Sequence, residues 1–262
     1  MKRERLDALL LDRGLAESRE QAERLILAGR VFVKGRNDAK PGQAFPSDIE
    51  IQVTDADRYV SRGGLKLEAA LSAFQLSPAE LDCADVGAST GGFTDCLLQN
   101  GAARVYAIDV GSSQLHERLR SDARVILMDQ RNARDIKPGD FSAPPKFVVV
   151  DVSFISILKI LPSLAAISSE DATGVALLKP QFEAARADVS RGKGVIRDQE
   201  VHRQILRDVL NAIPATGWAA QDIMGSPIVG ASGNREFLVW LRKNPDARQL
   251  LIDIDAVIAS TR

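Results

Sequence analysis

Apolar residues near the start of the chain fall at helical spacing. Leu6, Leu9 and Leu10 share one face of a helix predicted over residues 4–13, and Gly14 can end it. Ser18 followed by Gln21 has the form of a capping box opening a second helix, with Leu25 and Ile26 on its apolar face and Gly29 as its C-cap. The period then shortens to two. Val31-Phe32-Val33-Lys34-Gly35 reads as a strand entering a turn, Lys40-Pro41-Gly42 as another turn, and Ile49–Val53 alternates like a half-buried strand. Two helices and a β-ribbon thus predict a small α+β domain over residues 1–57. Residues 58–64, which contain Gly63-Gly64, read as a linker.

Beyond residue 65 the pattern becomes α/β. A helix over 65–75 precedes a strand ending at Asp85, and another helix begins near Gly92. Apolar strands follow at 104–109, 125–128, 147–151 and 175–178. Such alternation predicts a doubly wound, mainly parallel sheet over residues 65–262. The stretches around 223–229 and 236–241 look like a terminal antiparallel hairpin, and 247–258 like a covering helix.

Composition changes little in this picture. Hydrophobic residues make up 45% and charged residues 26% of the 262, as in ordinary globular proteins. No apolar run reaches the roughly 18 residues needed to span a bilayer, and the N-terminus lacks a secretory apolar core, so a cytoplasmic, non-membrane protein is expected. Cys83 and Cys96 form neither a disulfide framework nor a zinc spacing; they are expected as small core residues, with no metal. Net charge is −1, yet residues 1–40 carry ten Lys/Arg against seven Asp/Glu, a mild hint of an RNA-facing module.

The first chemistry lies at the strand ending in Asp85. Gly87, Ala88, Ser89, Gly91, Gly92 and Phe93 follow it at a helix entry, where a ligand of an open α/β sheet sits. Glycines suit tight turns and close backbone approach to a ligand. Ser89 breaks the dinucleotide pattern G-x-G-x-x-G, and no Gly-Lys-Ser/Thr follows to make a P-loop. A carboxylate beside the turn would repel a pyrophosphate but suits S-adenosylmethionine, whose ammonium and sulfonium are cationic. Asp109, 22 residues beyond Gly87, is placed to accept from ribose hydroxyls, and Asp129 is a candidate for the adenine amino group. One such aspartate would read as a strand-end cap; three at successive strand ends, with the turn, favour a cofactor site.

Four more residues stand near strand ends: Lys66, Asp151 in Asp151-Val152-Ser153-Phe154, Lys179 in Leu178-Lys179-Pro180, and Glu236 in Arg235-Glu236-Phe237. In this order they resemble the Lys-Asp-Lys-Glu tetrad of FtsJ-like ribose 2′-O-methyltransferases. Ser61–Leu67, Leu178–Phe182 and Ser232-Gly233-Asn234-Arg235-Glu236 further resemble motifs of the TlyA family of rRNA methyltransferases, also known as haemolysins. Thr90, where many FtsJ-like enzymes have proline, points to the TlyA branch. Residues 1–55 resemble the RNA-binding module of a ribosomal small-subunit protein, shared with pseudouridine synthases. The resemblance spans essentially the whole chain. It implies a Rossmann-like class I methyltransferase fold, S-adenosylmethionine as cofactor, and rRNA or ribosomal subunits as partner, with a cytidine 2′-hydroxyl as acceptor.

That chemistry needs a positioned base or charge, because a ribose hydroxyl is a poor nucleophile. Lys179 is assigned to the hydroxyl proton. It either removes that proton as a neutral amine or, charged, steers the hydroxyl and stabilises developing negative charge. Lys66 and Glu236 would orient it, with Asp151 between donor and acceptor. RNA phosphates are expected to meet Arg3, Arg5, Arg19, Lys34, Arg36, Arg62, Arg191 and Lys193, the last two in a loop over 184–198 expected to be mobile. His202 is expected on an exposed helix face. The alternatives are a small-molecule methyltransferase, a pore-forming haemolysin and a non-catalytic RNA-binding protein; binding of rRNA, lysis by pure protein and failure to bind the methyl donor would favour the respective rivals or exclude them.

Overall fold

The computed structural model describes residues 3–36, 39–53, 58–185, 189–190, 192–230, 233–243 and 252–260. It divides into two units, Met1–Arg62 and Gly63–Arg262.

In the first unit, β1 (Arg3–Arg5) leads into α1 (Leu6–Asp12), α2 (Arg19–Leu27), β2 (Val31–Val33), β3 (Ala44–Pro46) and β4 (Ile51–Val53). The helix expected from residue 4 begins at Leu6, because Arg3, Glu4 and Arg5 pair antiparallel with Pro46, Phe45 and Ala44. β2 pairs with β4, the expected ribbon. Ser18 caps α2 by accepting from the Gln21 amide at 3.1 Å. The Gln21 side chain accepts instead from Glu17 N, one residue before the cap, so the reciprocal half of the box is displaced. Gly29 follows the helix at φ 73°, a conformation that suits glycine. Leu6, Leu10, Ala22 and Val31 form the buried centre of this unit.

In the second unit α3 spans Gly63–Ala73, so Gly63 and Gly64 open a helix and do not belong to a linker. First-turn amides have no intrahelical partner, which makes glycine inexpensive there. Next come β5 (Asp82–Val86), α4 (Gly92–Gln99), β6 (Arg104–Ile108), α5 (Glu117–Arg120), β7 (Val125–Met128), β8 (Phe147–Val150), α6 (Leu161–Ile167), β9 (Thr173–Leu178), α7 (Pro180–Glu183), α8 (Gln199–Ala212), β10 (Ala219–Gly225), β11 (Phe237–Arg242) and α9 (Ile254–Ser260). Residues 247–251 of the expected last helix lie outside the described residues. The seven strands run in the order β10-β11-β9-β8-β5-β6-β7. β9, β8, β5, β6 and β7 are parallel, and β11 and β10 complete the sheet antiparallel. All of β8 is buried, which is why it reads as an unbroken apolar run. Chain direction across the sheet reverses between β5 and β8. A crevice at the carboxyl ends of those strands is where such a sheet holds ligands.

His202 does not lie on an exposed face. It is fully buried with Ile205, Leu206, Val209 and Leu210 of α8, edge-on to Phe237 at 5.9 Å, and burial lowers its pKa. Cys83 and Cys96 are buried free thiols, and burial pushes Cys83 up to about 12. Among the described residues no helix is long and apolar enough to cross a membrane.

Candidate active site

The turn after β5 is built around a buried carboxylate. Asp85 is fully buried and its Oδ2 accepts from Thr94 Oγ1 at 2.6 Å, while Oδ1 is buried with no hydrogen-bond partner. Burial pushes Asp85 up to about 7, the Thr94 hydroxyl pulls it down, and the charges of Asp151 and Asp109 add to the rise. Gly87 sits at φ 86°, where a Cβ would overlap the Asp151 carbonyl. Gly91, at φ 97°, leaves room for Leu115 and Leu119. Both glycines are therefore required by the fold itself, a reason beyond ligand approach. Ser89 takes φ 48° and its amide donates to Asp109 Oδ2 at 2.8 Å. Ala88 and Phe93 are buried in the core, and Gly92 starts α4.

A cavity of about 400 Å³ opens beside this turn, lined by Val86, Gly87, Ser89, Ile108, Asp109, Val110, Asp151 and Phe154, with Arg131, Asn132 and Arg134 on another side. Asp109 is held by two backbone amides, since Oδ1 also accepts from Gly111 N at 2.7 Å; its remaining lone pairs can receive hydroxyl donors. Asp129 is not part of the lining, and its Oδ2 accepts from Ser113 N at 2.8 Å. Two carboxylates lining a cavity of this size, Asp109 and Asp151, with the orphaned Asp85 oxygen buried behind it, fit a cationic ligand bearing a ribose.

Strand register gathers the other four residues. Phe237 pairs with Leu178, so Glu236 lies across from Lys179, and β8 runs parallel beside β9 with Asp151 at its end. They form two ion pairs. Lys66 reaches from α3 to Glu236 Oε2 at 2.5 Å, with side chains only 11% and 4% exposed. Lys179 Nζ lies 2.6 Å from Asp151 Oδ1, off the line of a good hydrogen bond, and donates to Ser153 Oγ at 3.0 Å. It also stands 5.9 Å above the Phe182 ring. A carboxylate, a hydroxyl and a ring face thus surround the Lys179 amine and fix its position. Gly230 leaves room for the Glu236 carboxylate, which a Cβ there would overlap.

The FtsJ-like methyltransferase family profile matches residues 59–243, most of the chain. The chain belongs to the FtsJ-like methyltransferase family. An S4 domain profile matches residues 4–36. YqxC of Bacillus subtilis, named as a candidate rRNA methyltransferase, is 47% identical over 242 residues, 92% of this chain and 86% of the relative. The 16S/23S rRNA (cytidine-2′-O)-methyltransferase TlyA of Mycobacterium tuberculosis is 43% identical over 247 residues, 94% and 92% of the two chains. A solved structure of a candidate haemolysin from Streptococcus thermophilus is 45% identical, covers 99% of this chain and 95% of that one, and superposes with a TM-score of 0.75.

In this FtsJ-like methyltransferase some nominated RNA-facing residues already have structural work. Arg5 and Arg19 both contact the carboxylate of buried Asp7, at 2.7 and 3.1 Å, and Arg3 donates to Ala44 O at 2.6 Å. The two arginines hold Asp7 down at about 2, although they remain half-exposed. Lys34, Arg36 and Lys193 are exposed, Arg62 is half-buried, and Arg191 lies outside the described residues. The loop expected to be mobile is pinned in its second half, where Asn234 accepts from Ile196 N at 3.0 Å and donates to Gly194 O at 2.9 Å.

Two aromatic residues escaped nomination. Phe154 is 90% exposed at φ 64°, unusual for a bulky residue, and its ring lies 5.2 Å from that of Phe182. Both lie in segments that resemble family motifs, Asp151–Phe154 and Leu178–Phe182, where the roles assigned go to the charged residues.

Proposed function

We propose that this chain transfers the methyl group of S-adenosylmethionine to a ribose 2′-hydroxyl of ribosomal RNA, on cytidine, as the names of its relatives describe for them. The observation that carries the reading is the Lys179–Asp151 pair at a cavity that Asp109 and Asp151 both line, with Asp85 buried behind its Val86-Gly87 edge. S-adenosylmethionine would supply an electrophilic methyl on sulfur. Asp85 would meet its ammonium, with Gly87 to Phe93 shaping the turn. Asp109 would hold the ribose hydroxyls, and Asp129 the adenine amino group from beside the cavity.

Lys66, Asp151, Lys179 and Glu236 act on the acceptor. Paired with Asp151, Lys179 would orient the 2′-oxygen and stabilise charge growing on it. As that oxygen takes the methyl group, Nζ and the Asp151 carboxylate beside it would give the hydroxyl proton a route away. The buried Lys66–Glu236 pair would hold Glu236 in place across the strand register from Lys179. The exposed face of Phe154 offers a stacking surface for an unpaired base.

Residues 1–57 would bind RNA, with residues 58–62 leading to the catalytic domain that opens at Gly63. Arg3, Arg5, Arg19, Lys34, Arg36, Arg62, Arg191 and Lys193 would face phosphate. The work would be done in the cytoplasm, on rRNA or ribosomal subunits.

The test is mass-spectrometric mapping of ribose methylation on ribosomal subunits from cells lacking the protein, treated with purified protein and cofactor. A new 2′-O-methylcytidine that Lys179→Ala protein cannot install is expected. No new ribose methylation, or near-normal turnover by Lys179→Ala, overturns the reading.

A further inference from the structure

Asp151, Ser153 and Phe154 stand on the segment leaving β8, while Lys179 precedes α7 as its N-cap and Phe182 stands on it. That helix is one turn long, too short to hold its own direction. At its last residue the Glu183 carboxylate crosses to the other segment and accepts from Ile157 N at 2.8 Å. Ile157 opens the 3-10 turn Ile157–Lys159 and is itself buried, so this amide is a fixed point. We propose that Glu183 is a positioning residue for methyl transfer, tying the two active-site segments together behind the Lys179–Asp151 pair. The inference rests on the assignment of that pair to the reaction.

Three observations support it. Glu183 lies four residues from Lys179, on the far side of the only turn of α7. Its partner lies six residues from Asp151, after a segment that passes through the left-handed backbone of Phe154. The carboxylate is largely removed from water and also interacts with Ser156, the residue whose hydroxyl caps the same 3-10 turn at Leu158 N. A half-buried acid between two segments is costly unless its hydrogen bonds are needed. Without it, α7 could turn on Pro180 and carry the Phe182 ring away from Lys179, leaving Nζ free to swing off the acceptor oxygen. A misplacement of about 1 Å is enough to cost about 100-fold in rate.

The experiment compares Glu183→Gln, whose amide oxygen can still accept from Ile157 N, with Glu183→Met, which fills the space without an acceptor. Methylation of ribosomal subunits from cells lacking the protein gives kcat and KM, and calorimetry gives the cofactor affinity. Glu183→Met is expected to lower kcat by about 10–100-fold, with KM and cofactor affinity within about twofold and with Glu183→Gln restoring most of the rate. In a Lys179→Ala background Glu183→Met should cost little more, because the group it positions is gone. Should Glu183→Met not fold, Glu183→Asp, one methylene too short for Ile157 N, reads the same loss in kcat. Unchanged kcat in the folded variant overturns the proposal, as does equal damage by Glu183→Gln. If Lys179→Ala is itself near normal, the active-site reading has failed, a result separate from an intact Lys179 requirement with an indifferent Glu183.

Discussion

Replacing Asp85 with asparagine should make the unliganded protein more stable above neutral pH while weakening its grip on the cofactor. The carboxyl is raised from 3.8 to about 7, chiefly by burial. The folded state therefore holds a proton that the unfolded chain has lost, the reverse of an ion-paired aspartate. Stability from this group falls as pH rises from about 4 to about 7 and then levels off. A gap of about three pH units at ~1.4 kcal/mol each puts the cost of ionised Asp85 near 4 kcal/mol at pH 8. Asparagine removes that cost and can keep the Thr94 hydroxyl as a partner. It leaves a buried N–H in place of the orphaned Oδ1, at about 1–3 kcal/mol. A net gain of about 1–3 kcal/mol remains, or roughly 2–10 °C in a domain of this size. At pH 5, where the native acid is protonated, the gain should vanish or reverse. Cofactor binding moves the other way, since a charged hydrogen bond of about 1.5–3 kcal/mol is lost, about 10–100-fold in Kd. Thermal melts at pH 5 and 8, with calorimetric titration of S-adenosylmethionine, check both. A variant less stable than wild type at pH 8, or one that binds the cofactor normally, would refute the assignment of Asp85 as a strained, ligand-facing acid.

Breaking the Lys66–Glu236 pair from one side, as Lys66→Met, should cost about 3–5 kcal/mol by leaving a buried charge, whereas Lys66→Met with Glu236→Leu should recover much of it; denaturant melts of the three proteins test this. Gly87→Ala should lower the melting temperature and the yield of folded protein even without ligand, because the overlap is with the Asp151 backbone. Lys34→Ala should weaken rRNA binding and reduce its salt slope by about one, without altering the melt. Arg5→Ala should do both, because it strips a partner from buried Asp7.

Strand ends were the most legible part of the sequence. A parallel strand covered on both faces is apolar without interruption, so the polar residue that breaks the run marks its carboxyl end, as Asp109 and Asp151 do, while Asp85 stands one residue inside the end of β5. Ligand chemistry collects at those ends, and much of the cavity followed from the same reading. His202 shows a signal that was present and missed. It stands with Ile205, Leu206, Val209 and Leu210 at helical spacing, so the apolar face of α8 already contained it. Asp7 shows the opposite case. An acidic residue at a helix start is ordinary, and only the three-dimensional placement of Arg5 and Arg19 turns it into a buried anchor. The glycines of the turn were found for one reason and serve another as well, since what a missing Cβ makes room for depends on Asp151, Leu115 and Leu119, far along the chain.

The pairing within the tetrad is where the structure adds most to the chemistry. Four charged residues in sequence order permit several arrangements, including two lysines pressed together with one driven neutral. Lys66 and Glu236 are 170 residues apart, and no local pattern could couple them. The structure commits Lys66 to its own acid. Lys179 is left with Asp151, the Ser153 hydroxyl and the Phe182 ring. On the proposed reading it would either pass the hydroxyl proton on to Asp151 or act by orientation and charge. Both routes need Nζ aimed at the acceptor and Asp151 within reach behind it, which places the burden of catalysis on the geometry joining β8 to α7.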